Sequence, residues 1–564
     1  MDLDAVSLRG SAVLRLIGAV GLLLVVWWAP VQATDWFVCD CGPGADPDCI
    51  AGNDAGAGTT GDPWQSYEKA RTTFGSLAAG DGIRFCRGGA WAISAGTRWV
   101  NGSCRADSRC VVGDYAASWG SGNEGRPLLR RTDGSHGFAL EDGGDAEHEE
   151  GYRFENLDLR SDAGTGNGFF LYNDIDDVEI VNVAIDGFGI GVHLAGSNPC
   201  SADPECDGRN DRLVLRDSTV TNNHAQGWLG ASNGSQILGS TFEGNGTTAV
   251  YDHNIYISGS SGGETQGIVV RGNRLYRSAL DGGGVCQGVS MVVHGEHRDL
   301  LIEGNEVWED VGLAGQGCWG IAVDPGYGSA EGFVGVTIRG NRVSNTGNTL
   351  IGVAACQQCV IENNVIINRQ SYGATAIAAP DRGLGTGDLD QDNVVIRNNS
   401  IFLGDGGGTG IKLGGQGDQH SVLSNAIHTT SASSSFNCFS LDLPLVSYDA
   451  VDHNICHSPS APGAEWVDGY GGLATWTATS GFDASSSTGD PGFADPAAGD
   501  LSAVSAIAAM VDQGHPTLSS PVEVGGFPRD AAPDVGAHEW GVDGIFADGF
   551  EDGTTDAWSG VAPR

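Results

Sequence analysis

The chain has 564 residues, with 29 Lys or Arg against 71 Asp or Glu, and a formal net charge of −42 at pH 7. A surface this negative argues against nucleic acid and anionic membranes as partners, and it repels a polyanionic glycan unless cations bridge the two. The apolar content of 40% is too high for a disordered chain, and the 90 glycines suit a fold built from tight turns.

Arg9 and Arg15 precede an apolar run from Leu16 to Trp28 and the small-residue site Val31-Gln-Ala33. This is the pattern of a secretory signal peptide over 1–33, cut after Ala33. The run falls short of a bilayer span, and no later stretch is apolar enough to cross one. The expectation is a secreted, extracellular protein of bacterial type, soluble and monomeric. All 14 cysteines follow the signal. An even number in an exported chain favours disulfides, with Cys104 and Cys110, Cys200 and Cys206, and Cys438 and Cys456 as local pairs. Cys356-Gln-Gln-Cys359 has redox spacing without the βαβ context, so a structural bridge is expected there.

Residues 34–150 read as an N-terminal cap and first coils: the strand Trp36-Phe-Val38, a Gly/Asp turn from Gly52, a helix after Pro63, and a strand set by Gly80-Asp-Gly82. A solenoid needs such a cap because its end strand otherwise offers unpaired backbone groups.

From 151 to 457 one line recurs, as in Val336-Thr-Ile-Arg-Gly-Asn-Arg-Val343, Cys359-Val-Ile-Glu-Asn-Asn-Val-Ile366 and Val394-Val-Ile-Arg-Asn-Asn-Ser-Ile401. Each copy is a short β-branched strand, a polar turn and another short strand. Aligned on the turn, the positions are Asn156, Asn182, Ser218, Ser240, Asn273, Asn305, Asn341, Asn364, Asn399, Asn425 and Asn454. A constant line at a variable period means one supersecondary unit stacked repeatedly, with loops of different length inserted. Asn tolerates left-handed backbone and can hydrogen-bond from coil to coil. The fold class is all-β, a right-handed parallel β-helix with an N-terminal cap and a C-terminal closing region at 458–540, followed by a tail at 541–564.

Each coil carries a further strand, for example Gly191-Val-His-Leu194, Asn254-Ile-Tyr-Ile257, Gly320-Ile-Ala-Val323 and Gly410-Ile-Lys-Leu413. Period-two alternation places His193, Tyr256, Ala322 and Lys412 in one outward column. Three successive coils then hold the candidate chemistry: Asp252-His-Asn-Ile-Tyr-Ile-Ser258, Val289-Ser-Met-Val-Val-His294 and Gly320-Ile-Ala-Val-Asp324. His253, Tyr256, His294 and Asp324 supply the parts for taking a proton from carbon and returning one to oxygen. Asn254 is expected outward beside them, and insertions at 259–266, 281–288 and 312–317 are placed to wall a groove. Arg271, Arg298 and Arg339 are candidate partners for an acidic sugar. Lys412 lies about 24 Å from Tyr256, too far to share one site. Asp388, Asp390 and Asp392 alternate as in a calcium loop but lack its Gly and distal Glu, and Asn173-Asp-Ile-Asp-Asp177 is a second acidic loop; calcium would also supply positive charge for an anionic substrate.

Gly52-Asn-Asp54, Gly58-Thr59, Pro63-Trp64, Lys69-Ala70, Gly80-Asp81 and Gly88-Gly-Ala-Trp91 together resemble the opening region of secreted parallel β-helix carbohydrate-active proteins, among them pectate and alginate lyases. Asp490-Pro-Gly-Phe-Ala-Asp495, Val511-Asp-Gln-Gly514 and Pro533-Asp-Val-Gly-Ala-His-Glu-Trp540 resemble their closing region, which is expected to plug the C-terminal end. The resemblance implies a polysaccharide or cell-surface glycan as partner and β-elimination on a uronate as the reaction. It also implies that Asp54 and Lys69 are structural. Those lyases set a Lys or Arg base in the site, and the three coils lack a lysine. Two other readings stay open: a glycoside hydrolase using two of Asp252, Asp281 and Asp324, and a non-catalytic glycan-binding or adhesion protein.

Overall fold

The computed structural model describes residues 33–142, 149–196, 207–247, 251–259, 263–380, 382–432, 436–458 and 465–541. The signal segment up to residue 32, the Cys200 and Cys206 pair and the tail from 542 lie outside the described residues.

Three long parallel sheets run the length of the molecule and form a right-handed parallel β-helix. The first extends through 14 described strands from Asp35–Val38 to Tyr448–Asp452, the second through 13 from Ala90–Ile93 to Ile455–His457, and the third through 12 from Phe138–Glu141 to Glu465–Val467. A fourth, short sheet widens the middle coils with Thr265–Gln266, Glu296–Arg298, Gly332–Val334 and Cys356–Gln357. The repeated line falls on the corner between the first and second sheets, as in Thr337–Arg339 and Arg342–Ser344. One inward side chain per strand, such as Ile338, Ile361 and Ile396, stacks on its equivalents and leaves no exposed surface or almost none.

At that corner the two roles expected of one Asn are divided between neighbours. The left-handed residue is the one before the aligned position: Asn363 has φ 55°, Asn398 51°, Ser424 56° and His453 57°. The aligned residue is buried and forms the ladder. Asn273, Asn305, Asn341, Asn364, Asn399 and Asn425 each give their backbone N–H and side-chain amide to the Oδ1 of the next, at 2.9–3.1 Å. Asn156 and Asn182 depart from the expected alignment. They are themselves the left-handed residues, at φ 56° and 54°, and the buried positions behind them are Leu157 and Val183. The ladder ends on Asp483, which accepts from Asn454 Nδ2 at 3.2 Å and from the indoles of Trp466 and Trp476 at 3.0 and 2.8 Å. Asn364→Leu therefore strands the buried backbone N–H of Asn341, whose side-chain amide keeps the carbonyls of Ile302 and Arg339. It is expected to lower unfolding stability by about 1–3 kcal/mol, the cost of one unsatisfied buried group, measured by denaturant unfolding.

The helix expected after Pro63 spans Tyr67–Phe74, with Ser66 accepting from Lys69 N at 3.1 Å. Asp54 accepts from the N–H groups of Gln65 and Ser66, and the Lys69 ammonium lies 5.0 Å from the Trp64 ring, both structural placements. The C-terminal end is closed by helix Leu473–Ser480 with buried Trp466 and Trp476. Residues 490–540, expected to plug that end, instead lie along the side of the solenoid. Phe493, Leu501, Met510 and Val535 pack on Ile367, Phe402 and Ala426 of the second sheet. Asn363 Nδ2 donates to Ser520 and Asn398 Nδ2 to the carbonyl of Asp534, so the strap is pinned to the side chains of the left-handed corner residues.

Disulfides join Cys39–Cys86, Cys41–Cys49, Cys104–Cys110, Cys286–Cys318, Cys356–Cys359 and Cys438–Cys456, with no free cysteine among the described residues. This fits an extracellular or periplasmic compartment. No helix of the described residues is long and apolar enough to cross a membrane.

Candidate active site

The third sheet carries the expected outward column. Its register runs Phe170, His193, Leu229, Tyr256, Val292, Ala322, Gly352, Ala378, Lys412 and Ser440, one residue per coil. Tyr256 stands on Ile255–Ser258 and His294 on Met291–His294, where Ser258 pairs with His294. The inward Ile255, Ile257, Met291 and Val293 are buried, which fixes the direction of their neighbours.

His253, Tyr256, His294 and Asp324 come together. The Tyr256 ring lies 5.2 Å from that of His253 and 5.5 Å from that of His294, edge-on to both. His253 Nδ1 bonds to the Val289 carbonyl at 2.8 Å, and His294 Nδ1 to the Asp324 carbonyl at 2.5 Å. A carbonyl only accepts, so each Nδ1 carries the proton and each Nε2 keeps its lone pair. Burial lowers the pKa of both imidazoles, His253 to about 4, so both are neutral at pH 7. Burial raises that of Tyr256, which stays protonated. A neutral imidazole beside a protonated phenol is a base next to an acid.

Three further residues complete the cluster. Tyr327 meets the Tyr256 hydroxyl at 3.1 Å, and its ring lies 5.5 Å from His294. Glu331 folds the Tyr327 loop by accepting from the N–H groups of Gly295 and Gly326, at 2.6 and 2.7 Å, and of Tyr327. Arg382 reaches back across two coils to place its guanidinium 2.5 Å from Asp324 Oδ2; Asp324 is 1% exposed and Arg382 46%. Sequence reasoning missed these three because all lie in insertions, where periodicity carries no information on direction. The available signals were position alone, Tyr327 and Arg382 each following a strand of the third sheet and a proline.

The remaining candidates are placed elsewhere. Asn254 faces inward, fully buried, and gives its amide to the Tyr276 carbonyl and Ser290 Oγ. The alternation expected to turn it outward breaks because the strand starts at Ile255. Arg271 is paired with Glu303 at 2.5 Å on the first sheet, and Arg298 with Glu264 at 3.1 Å on the short sheet, both away from the cluster. Asp388 accepts from the N–H groups of Glu331 and Gly385, and Asp392 from that of Asp418, while Asp390 offers its carbonyl to Gln357. The carboxylates of Asp388, Asp390 and Asp392 do not converge. The one described trio of ligand atoms within 4.8 Å is Cys286, Glu309 and Cys318, whose sulfurs are already bonded to each other. Asp388 thus ties the Arg382 loop to the Tyr327 loop. The Cys286–Cys318 bridge ties the insertion at 281–288, just before Val289, the anchor of His253, to the residue that follows the insertion at 312–317.

Gly326 lies against the face of the His294 imidazole, where an added Cβ would come within 2.4–2.6 Å of three ring atoms. Gly326→Ala is expected to displace the ring and lower turnover at least tenfold, roughly the penalty of a misplaced reacting group, with circular dichroism unchanged.

No protein-family model matches the chain, and no curated protein matches it. Several solved structures are similar to it at low sequence identity. The A-module of the Azotobacter vinelandii mannuronan C-5 epimerase AlgE6 is 16% identical, with a TM-score of 0.40, covering 71% of this chain and 94% of that one. XylC in complex with xylose is 10% identical, with a TM-score of 0.46, covering 90% and 98%. An alginate lyase from Paenibacillus sp. str. FPU-7 is 14% identical, with a TM-score of 0.32, covering 56% and 95%.

Proposed function

We propose that this is a secreted carbohydrate-active enzyme, a polysaccharide lyase cleaving uronate-containing glycans by β-elimination. The observation that carries this reading is the neutral His294 edge-on to the protonated Tyr256, with the half-exposed Arg382 guanidinium held beside them by Asp324. Arg382 would receive the uronate carboxylate and stabilise the charge that develops there as the adjacent carbon loses its proton. His294 Nε2 takes that proton. The C–H electron pair forms the new carbon–carbon double bond, the bond to the glycosidic oxygen breaks, and Tyr256 returns a proton to that oxygen. The chain's negative surface makes Arg382 the element that admits an acidic sugar.

The two-carboxylate hydrolase is less well supplied. Asp281 is engaged by the N–H groups of Gly283 and Val285, which lower its pKa, and Asp324 is held by Arg382. Asp281 is therefore not the raised acid that protonates a leaving group.

The test is ultraviolet absorbance of unsaturated ends from an alginate, pectate and glucuronan panel, with calcium or chelator as a variable and proton exchange at the uronate carbon followed in deuterated water. Turnover is expected on at least one member. Exchange without cleavage would mean that the proton returns to the same carbon, and binding without either would move the protein to the adhesion reading. The pH profile follows from the two groups. His294 must be neutral, so activity falls only below the ordinary imidazole value of about 6.5, and Tyr256 must be protonated, so the alkaline fall comes above about 10. A plateau between those limits is the expected result.

A further inference from the structure

Three coils before Tyr256, the same outward face of the third sheet changes character. Strand Asn167–Tyr172 alternates Phe169 and Leu171, fully buried, with Phe170 and Tyr172 facing out. The Phe170 ring stacks on His136 at 4.6 Å, with 8° between planes, and on Tyr172 at 5.9 Å and 9°; His193 stands edge-on to it at 5.6 Å. Tyr172 is 41% exposed. Asn167 organises the two imidazoles: its backbone N–H donates to His136 Nδ1 at 3.0 Å, and its side-chain amide lies 3.1 Å from His193 Nδ1. With the amide donating, both Nδ1 atoms accept and both rings present an Nε2–H as donor. Burial lowers the pKa of both, His193 to about 4, so neither ring is charged at pH 7. The charged neighbours Glu141 and Arg98 lie 3.4 Å apart, paired with each other. Glu141 is the register partner of Tyr172.

This surface therefore offers aromatic rings, two neutral N–H donors and, at its edge, the Arg98–Glu141 ion pair. A pyranose ring with apolar C–H faces and equatorial hydroxyls matches those groups, whereas a uronate carboxylate would have to compete with Glu141 for Arg98. From Phe170 to Tyr256 is three register steps, about 14 Å along the solenoid, within the reach of one glycan chain.

We propose that His136, Phe170, Tyr172 and His193 form a binding subsite for an uncharged sugar unit of the same chain whose uronate lies at Arg382. The substrate class is then a glycan mixing neutral and uronic units. This rests on the lyase reading for its second half alone; the platform itself stands on its own residues.

The experiment is calorimetric titration of wild-type, Tyr172→Ala and Phe170→Ala proteins with size-matched oligosaccharides. One series is all-uronate (oligogalacturonate), and the other mixes neutral and uronic units (glucuronoxylan and rhamnogalacturonan fragments). Turnover of each series is followed in parallel. Both variants are expected to bind the longer mixed oligosaccharides roughly tenfold more weakly, the loss of about one aromatic contact, while short all-uronate fragments are bound as by wild type. Because Tyr172 is exposed, its replacement leaves the fold intact, and unchanged affinity for every fragment would overturn the subsite. Turnover that persists with no dependence on Tyr172 or on fragment length defeats this inference alone. Tyr172-dependent binding without turnover leaves the subsite standing and defeats the lyase reading. No binding of any fragment defeats both.

Discussion

Tyr256→Phe is expected to remove most of the activity, by about 10²- to 10⁴-fold, the usual cost of losing a positioned acid. The substitution deletes one hydroxyl from an outward position and leaves the ring that fits between the imidazoles of His253 and His294. Core volume is unchanged, so the unfolding midpoint should stay within the small range of surface changes, about 0.5 kcal/mol. The hydroxyl lost is also the partner of Tyr327 at 3.1 Å, so a modest rise in loop mobility accompanies the loss of turnover. Lys412→Ala is the control: it occupies the same outward column, four coils beyond Val292, and pairs with Asp442 at 3.4 Å. Its activity should match wild type. A Tyr256→Phe protein that turns over at the wild-type rate would sink the assignment of the acid.

Arg382→Ala carries the second large effect, and it separates a substrate-binding role from a structural one. Removing the guanidinium should raise KM for an acidic glycan strongly and lower kcat, since it is the cation beside the reacting pair. The stability cost should be about 1–3 kcal/mol, that of a buried polar group losing its partner, because Asp324 is 1% exposed. A second readout, of the position of Arg382 beside His294, is the acid limb of the pH profile. The charge of Arg382 is one of the influences that hold the His294 pKa down, after burial. Its removal lets that pKa rise, so the acid limb should move to higher pH. That shift follows from the charge alone, so the two roles are separated by KM: a purely structural Arg382 would lower kcat and leave KM for an acidic glycan unchanged. Added salt should raise wild-type activity on an acidic glycan by screening the chain's net charge, and should do so less in the variant.

What the sequence determined by itself was the periodic part. The repeated line specified a parallel β-helix because its β-branched residues and corner turns can be satisfied only by stacking on copies of themselves. The same alternation set His193, Tyr256, Ala322 and Lys412 in one column, and the register confirms it residue by residue. His253, Tyr256, His294 and Asp324 were legible as neighbours for that reason: adjacent coils convert a separation of some 30 residues in the chain into one strand spacing. Single-residue offsets were not legible. Asn254 lies just before its strand and turns inward, and Asn156 and Asn182 sit one position early on the corner, because the pattern of apolar residues constrains strands and leaves the residue beside a turn free.

Only the tertiary structure decided which cation stands beside the candidate cluster. Arg271 and Arg298 lie on regular strands and were visible in the sequence, yet Glu303 on the neighbouring strand and Glu264 just before its neighbouring strand hold them there. Arg382 comes from an insertion that folds back over two coils, and nothing in local propensity encodes the path of such a loop. Its course is fixed by long-range contacts, Asp388 to the backbone of Glu331 and Glu331 in turn to the backbone N–H of Gly295. The closing strap shows the same division: its composition announced a terminal segment, but its seat along the second sheet depends on the apolar outer face that Ile367, Phe402 and Ala426 present together. Stacked repeats make core positions predictable from spacing alone, whereas insertions and the strap find their places only once the solenoid surface exists for them to dock on.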